Sequence, residues 1–156
     1  MSCEMPSPGP DHRRLHRLAG TWRGTETYPP SPWAAEGGSA KATTRFRVST
    51  GGFGVVGDYE QTRDGLTTFE GHAVYTFDAR AQQVVLSWWD SLDQGREEFR
   101  GSWQGDVLTL TSEGVMGLAR LVYDYSSPGK LRSSMHTSPD GKAWTLMFEG
   151  SYEQGA

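Results

Sequence analysis

From position 20 to the end, apolar and polar residues alternate with a period of two, and a turn signal breaks the alternation every 8 to 12 residues. Ten segments carry the pattern: 20–28, 39–49, 53–63, 66–77, 82–92, 96–103, 106–112, 117–126, 130–138 and 143–153. Between them lie "GG" at 51–52, "DG" at 64–65, "DAR" at 78–80, "QG" at 104–105, "SPG" at 127–129 and "PDG" at 139–141. Connections this short make consecutive strands antiparallel neighbours. Ten twisted strands left open would expose two edges, and closure removes both. The pattern therefore predicts an all-β fold, a closed up-and-down antiparallel barrel of about ten strands. One short helix precedes it in "DHRRLHRLAG" (11–20), with Asp11 as the expected cap and Gly20 as the stop. Residues 1–10, "MSCEMPSPGP", are expected to be disordered, leaving 11–156 as a single domain. The long connection "PPSPWAAEGG" (29–38) falls where it can cap one mouth.

Strand parity assigns the interior. In 20–28, Trp22, Gly24, Glu26 and Tyr28 share a face, with Trp22 as a plug at the base. In 82–92, Val84, Leu86, Trp88 and Asp90 turn in and Trp89 turns out, which suggests a homodimer that covers Trp89. Phe53, Val55, Tyr59 and Gln61 share the inner face of 53–63, and Glu97, Phe99 and Trp103 that of 96–103. Later strands offer Leu121, Tyr123 and Tyr125, then Leu131, Ser133 and Met135, then Trp144, Leu146, Phe148, Gly150 and Tyr152. "FEGHAV" (69–74) is open: regular alternation leaves His72 outside, whereas a bulge at Gly71 would bring it in.

Composition narrows the partners. The net charge is −4 and well mixed, so nothing resembles the basic stripe that nucleic acid requires. The one basic cluster, Arg13, Arg14 and Arg17, is compatible with a solvated helix face. A single cysteine, Cys3, suits a reducing cytoplasm, and no apolar run suggests a signal peptide or a membrane span. His12 and His16 have a metal-binding spacing but no third ligand nearby, so no metal is expected.

The candidate chemistry lies inside the barrel. Glu26, Tyr59, Gln61, Tyr75, Asp90, Glu97, Tyr123 and Ser133 are the polar residues predicted there. A carboxylate facing an aromatic interior is costly unless it is neutral or hydrogen-bonded. Glu26 and Asp90 are accordingly the candidate acid/base groups, with His72 if it turns inward. Trp88, Tyr59, Tyr75, Phe46, Phe99, Tyr123 and Met135 are the candidate ligand contacts. No nucleophile elbow, phosphate-binding loop or dinucleotide fingerprint is present, and no cofactor is expected.

Several blocks together, "LAGTWRGTE", "GGFGVVGDYEQTRDG", "FEGHAVYTFD", "LSWWDS", "EEFRGSWQGDVLTLTS" and "SPDGKAWTLMFEGSY", resemble the bacterial family called domain of unknown function 1579. The Gly20-x-Trp22-x-Gly24 opening is also similar to calycin barrels such as lipocalins and nitrobindins. The resemblance implies a ligand-holding β-barrel and no particular reaction. Nitrobindins use a histidine near the C-terminus as haem ligand; the nearest residue here, His136, has outward parity. Two functions follow from the residues. One is a cofactor-free acid/base enzyme performing cyclisation, Pictet–Spengler-type condensation or isomerisation on a small aromatic or apolar substrate. The other is a non-catalytic carrier or sensor of an apolar small molecule.

Overall fold

The computed structural model describes residues 3–32, 34–114 and 117–155. It contains ten strands: β1 (Gly20–Tyr28), β2 (Gly38–Ser49), β3 (Gly54–Arg63), β4 (Leu66–Asp78), β5 (Gln83–Asp90), β6 (Glu97–Gln104), β7 (Val107–Gly114), β8 (Gly117–Asp124), β9 (Lys130–Ser138) and β10 (Thr145–Gln154). Each pairs antiparallel with its sequence neighbours, and β1 pairs with β10 to close the barrel. Closure satisfies the backbone groups that an open sheet would leave at its edges. The expected up-and-down topology is the one observed.

The short helix α1 (Pro10–Leu15) runs into a single tight turn, His16–Leu18. Its cap is Gly9 and not Asp11, because Pro10 occupies the first helical position, where a missing N–H costs nothing. The Gly9 N–H donates to Nδ1 of His12 at 3.1 Å. Leu15 and Leu18 are 0% exposed and belong to the same apolar core as Trp22, Val55, Leu108 and Tyr125. Burial of each leucine contributes about 1.5–3 kcal/mol. Arg14 donates to the Gly105 carbonyl at 2.7 Å, His16 bonds the Gly52 carbonyl at 2.9 Å, and Arg17 bonds Asp106 and the Tyr125 carbonyl. Two of the three arginines of the basic cluster therefore tie the helix to the turns at one end of the barrel. That end is plugged.

Two register shifts decide which side chains reach the interior. One lies between Gln61 and Thr62 of β3, opposite Thr68, so the irregularity anticipated at Gly71 sits three residues earlier. Gly71 stays in register, and its hydrogen is needed for a different reason: a Cβ there would meet the Trp88 ring at 2.1 Å. The other shift lies between Leu146 and Phe148 in β10, with Met147 as the extra residue. It reverses the expected parity of the start of that strand. Leu146 faces His136 across the ladder on the outer side, and Trp144 stacks 4.3 Å beneath the Arg120 guanidinium. Both had been expected inside.

Candidate functional site

Inward side chains leave a cavity of about 570 Å³, closed below by the helix-plugged core and open at the opposite end. Phe46, Phe99, Leu121, Leu131 and Met135 line its body. Tyr59, Phe69, Trp88 and Phe148 line it as well, while Leu92 and Met147, 63% and 40% exposed, rim the mouth. The 29–37 connection leaves β1 at this open end, and its Trp33 lies outside the described residues.

The polar centre of the wall is Glu26, only 1% exposed. Regular alternation in β1 turns it inward, and the strand can coil tightly there because Gly24 lies against the β10 backbone. A Cβ on Gly24 would stand 1.9 Å from the Ser151 carbonyl. Four donors converge on the Glu26 carboxylate. Oε2 accepts from the Tyr59 hydroxyl at 2.6 Å, the Tyr28 hydroxyl at 2.9 Å and Gln61 Nε2 at 2.9 Å. Oε1 accepts from the Tyr152 hydroxyl. The Tyr152 ring reaches across Gly150, where a Cβ would meet it at 2.7 Å. Gln61 Nε2 also lies 2.9 Å from the Tyr59 hydroxyl oxygen and close to that of Tyr28, so its two N–H groups are shared among three oxygens. Such an arrangement holds a buried carboxylate by hydrogen bonds, with no ion pair to it among the described residues. Burial first, then the Glu26 charge, pushes the phenols of Tyr28, Tyr59 and Tyr152 well above their ordinary value. These hydroxyls stay protonated and aimed at Glu26.

A second cluster sits at the mouth. Asp90 ends β5, where Oδ2 accepts from the Trp88 indole at 2.8 Å and Oδ1 accepts from the Leu92 N–H at 3.0 Å. The aspartate thereby fixes both the Trp88 ring and the turn that follows. Glu97, which starts β6 opposite Trp88, is pushed above the ordinary carboxyl range by burial and then by the neighbouring Asp90 charge. Thr44 also lines the cavity, and its buried hydroxyl has no hydrogen-bond partner. Among the described lining residues are three carboxylates, Glu26, Asp90 and Glu97, and no lysine, arginine or histidine.

Most sequence-predicted site residues meet here: Glu26, Asp90, Trp88, Tyr59, Phe46, Phe99, Tyr123 and Met135 all line the cavity. Two do not. Tyr75 is inward but lies below the cavity, 0% exposed, with its hydroxyl 2.9 Å from that of Tyr123; it supports Tyr123 rather than contacting the lumen. Burial pushes the Tyr123 phenol up to about 12. His72 is exposed on the outer wall, its Nδ1 2.8 Å from Asp58 and its ring tilted against Trp89. Without the bulge at Gly71 nothing turns it inward. Trp89 itself is 40% exposed, as its parity required. Sequence reasoning placed Tyr28 and Tyr152 on the inner face without seeing that they hold Glu26. It had no signal for Leu92 and Gln94, which reach the mouth from the β5–β6 connection.

Fold and site together define a calycin-like closed barrel with an open-mouthed aromatic cavity and a buried acid in its wall. The chain belongs to the family DUF1579, described as a protein of unknown function, whose model matches residues 7–154. The fold is similar to that in the crystal structure of Rv2717c from M. tuberculosis, with a TM-score of 0.72 and 16% identity, covering 95% of this chain and 99% of that one. At that identity the likeness shows the fold. A comparison with curated proteins finds no match.

Proposed function

We propose that the barrel binds one small, largely aromatic or apolar molecule in its cavity. The observation that carries this reading is the cavity itself: about 570 Å³, walled by aromatic rings, with a few fixed polar groups converging on it. That volume lies within the range typical of small-molecule sites, and the mixture of apolar wall and sparse polar groups is what orients a ligand. Glu26 fits an orienting role better than a proton-transfer role, since both of its oxygens already accept hydrogen bonds. Native mass spectrometry of the purified protein, alone and with phenylbutanol as a neutral apolar probe, tests the reading. One small-molecule adduct per chain is expected. Bare protein under both conditions would contradict it.

One observation favours a second reading, a cofactor-free acid/base enzyme. Glu97 is held above the ordinary carboxyl range beside Asp90, and a raised acid next to a second carboxylate is the pairing that proton transfer uses. Cyclisation, iminium-type condensation and isomerisation of a bound aromatic molecule all need such a pair. With a converted substrate in hand, Glu97→Gln is expected to slow turnover by roughly 10²–10⁴-fold. Unchanged turnover would remove Glu97 from the chemistry, and a bound molecule that is released unconverted would leave the carrier or sensor.

A further inference from the structure

We propose that the molecule the cavity takes is an organic cation: an aromatic or branched apolar body bearing one ammonium group. The ammonium stays at the mouth against Asp90 and Glu97, while the body descends between Phe46, Phe99 and Leu121. The inference rests on the binding reading above and specifies its ligand class.

The electrostatics point one way. Three carboxylates line the cavity, and among the described lining residues no basic side chain offsets them. Arg63 lies 5.1 Å over the Tyr28 ring, where it partly offsets the upward push on that phenol, but it is not a lining residue. Arg96 is turned towards Glu98 at 3.2 Å. Hydrogen-bonding capacity agrees. The Trp88 indole N–H is committed to Asp90, and the hydroxyls of Tyr28, Tyr59 and Tyr152 donate to Glu26. Towards the cavity these phenols can offer only lone pairs. Among the described lining residues the charged groups are all acceptors, and the unpartnered Thr44 hydroxyl is a neutral group that can donate or accept, so the site suits a ligand that brings its own charged N–H groups and repels an anion.

Placement at the mouth follows from cost. An ammonium carried to the depth of Glu26 would lose nearly all its water, whereas the mouth stays open to solvent beside exposed Leu92 and Met147. There, two neighbouring carboxylates raise each other's energy, and a cation between them relieves that repulsion. The face of Trp88, pinned by Asp90, adds a cation–π contact. A partly solvated ion pair and such a contact together favour a cation over a neutral isostere by about tenfold.

Three probes of matched shape, phenylbutylamine, phenylbutanol and phenylbutanoate, separate charge from burial when titrated calorimetrically near neutral pH. The amine is expected to bind about tenfold more tightly than the alcohol, and the carboxylate most weakly. In Glu97→Gln the amine-to-alcohol ratio should fall to about twofold or less. Equal binding of amine and alcohol, or tighter binding of the carboxylate, would overturn the inference while leaving the cavity reading intact. A ratio unchanged in Glu97→Gln would overturn the assignment of the ammonium to the mouth. No binding of any of the three would remove the cavity reading, and this inference with it.

Discussion

Glu26 shows how one residue's chemistry depends on its neighbours. In isolation a carboxylate at an inward position of an aromatic barrel is a liability; with four donors it becomes the point to which β1, β3 and β10 are fastened. Tyr152→Phe removes the donor to Oε1, and hydrogen bonds to charged groups are worth about 1.5–3 kcal/mol. Urea unfolding of this variant should show a loss of that order, and a loss under about 0.5 kcal/mol would mean that the bond contributes little. The tyrosines supply a second expectation. All six are raised in the folded protein, burial being the first cause in each. A phenol raised above its unfolded value of about 10 contributes stability that is complete below that pH and is lost as the pH climbs through the folded value. Spectrophotometric titration should therefore show little phenolate near pH 10, then a cooperative rise as the barrel unfolds. A gradual rise centred near pH 10 in folded protein would contradict the buried network. Parity alone brought Glu26, Tyr28 and Tyr152 to one side of the wall. Their convergence depends on Gly150 letting a ring cross it, and a period-two pattern carries no such information.

Among the elements, strand existence and order followed directly from alternation and turn chemistry, because every connection but one is short enough to force an antiparallel neighbour. Depth along the barrel axis was not legible. Tyr75 and Tyr123 have the same inward parity, yet one is core and the other lines the lumen. Bulges were equally hidden: an extra residue at Met147 leaves composition unchanged and still turns Trp144 and Leu146 outward. Gly71 attracted the wrong explanation for the same reason, since a glycine in a strand marks either a bulge or a close approach. Here it is the approach of Trp88. Gly71→Ala is expected to cost about 1–3 kcal/mol, the usual penalty for overpacking, and to perturb near-ultraviolet circular dichroism through the displaced indole. An alanine variant with unaltered stability and spectrum would mean that Trp88 does not rest on Gly71.

At the scale of the whole molecule, the two ends of the barrel have opposite characters. One is closed by Leu15 and Leu18 and by arginine and histidine bonds to the turns. The other keeps exposed apolar residues, Leu92 and Met147, around an opening that leads to aromatic walls and carboxylates. Among the described residues no helix is long and apolar enough to cross a membrane. In the proposed binding mode the ligand enters at this open end and keeps its charged group outward. A crystal structure of the protein soaked with phenylbutylamine tests this account most directly. Density is expected for one molecule inside the barrel, its ring between Phe46, Phe99 and Leu121 and its nitrogen within hydrogen-bonding reach of Asp90 or Glu97. An empty or collapsed cavity, with the amine found only on the outer wall, would contradict it.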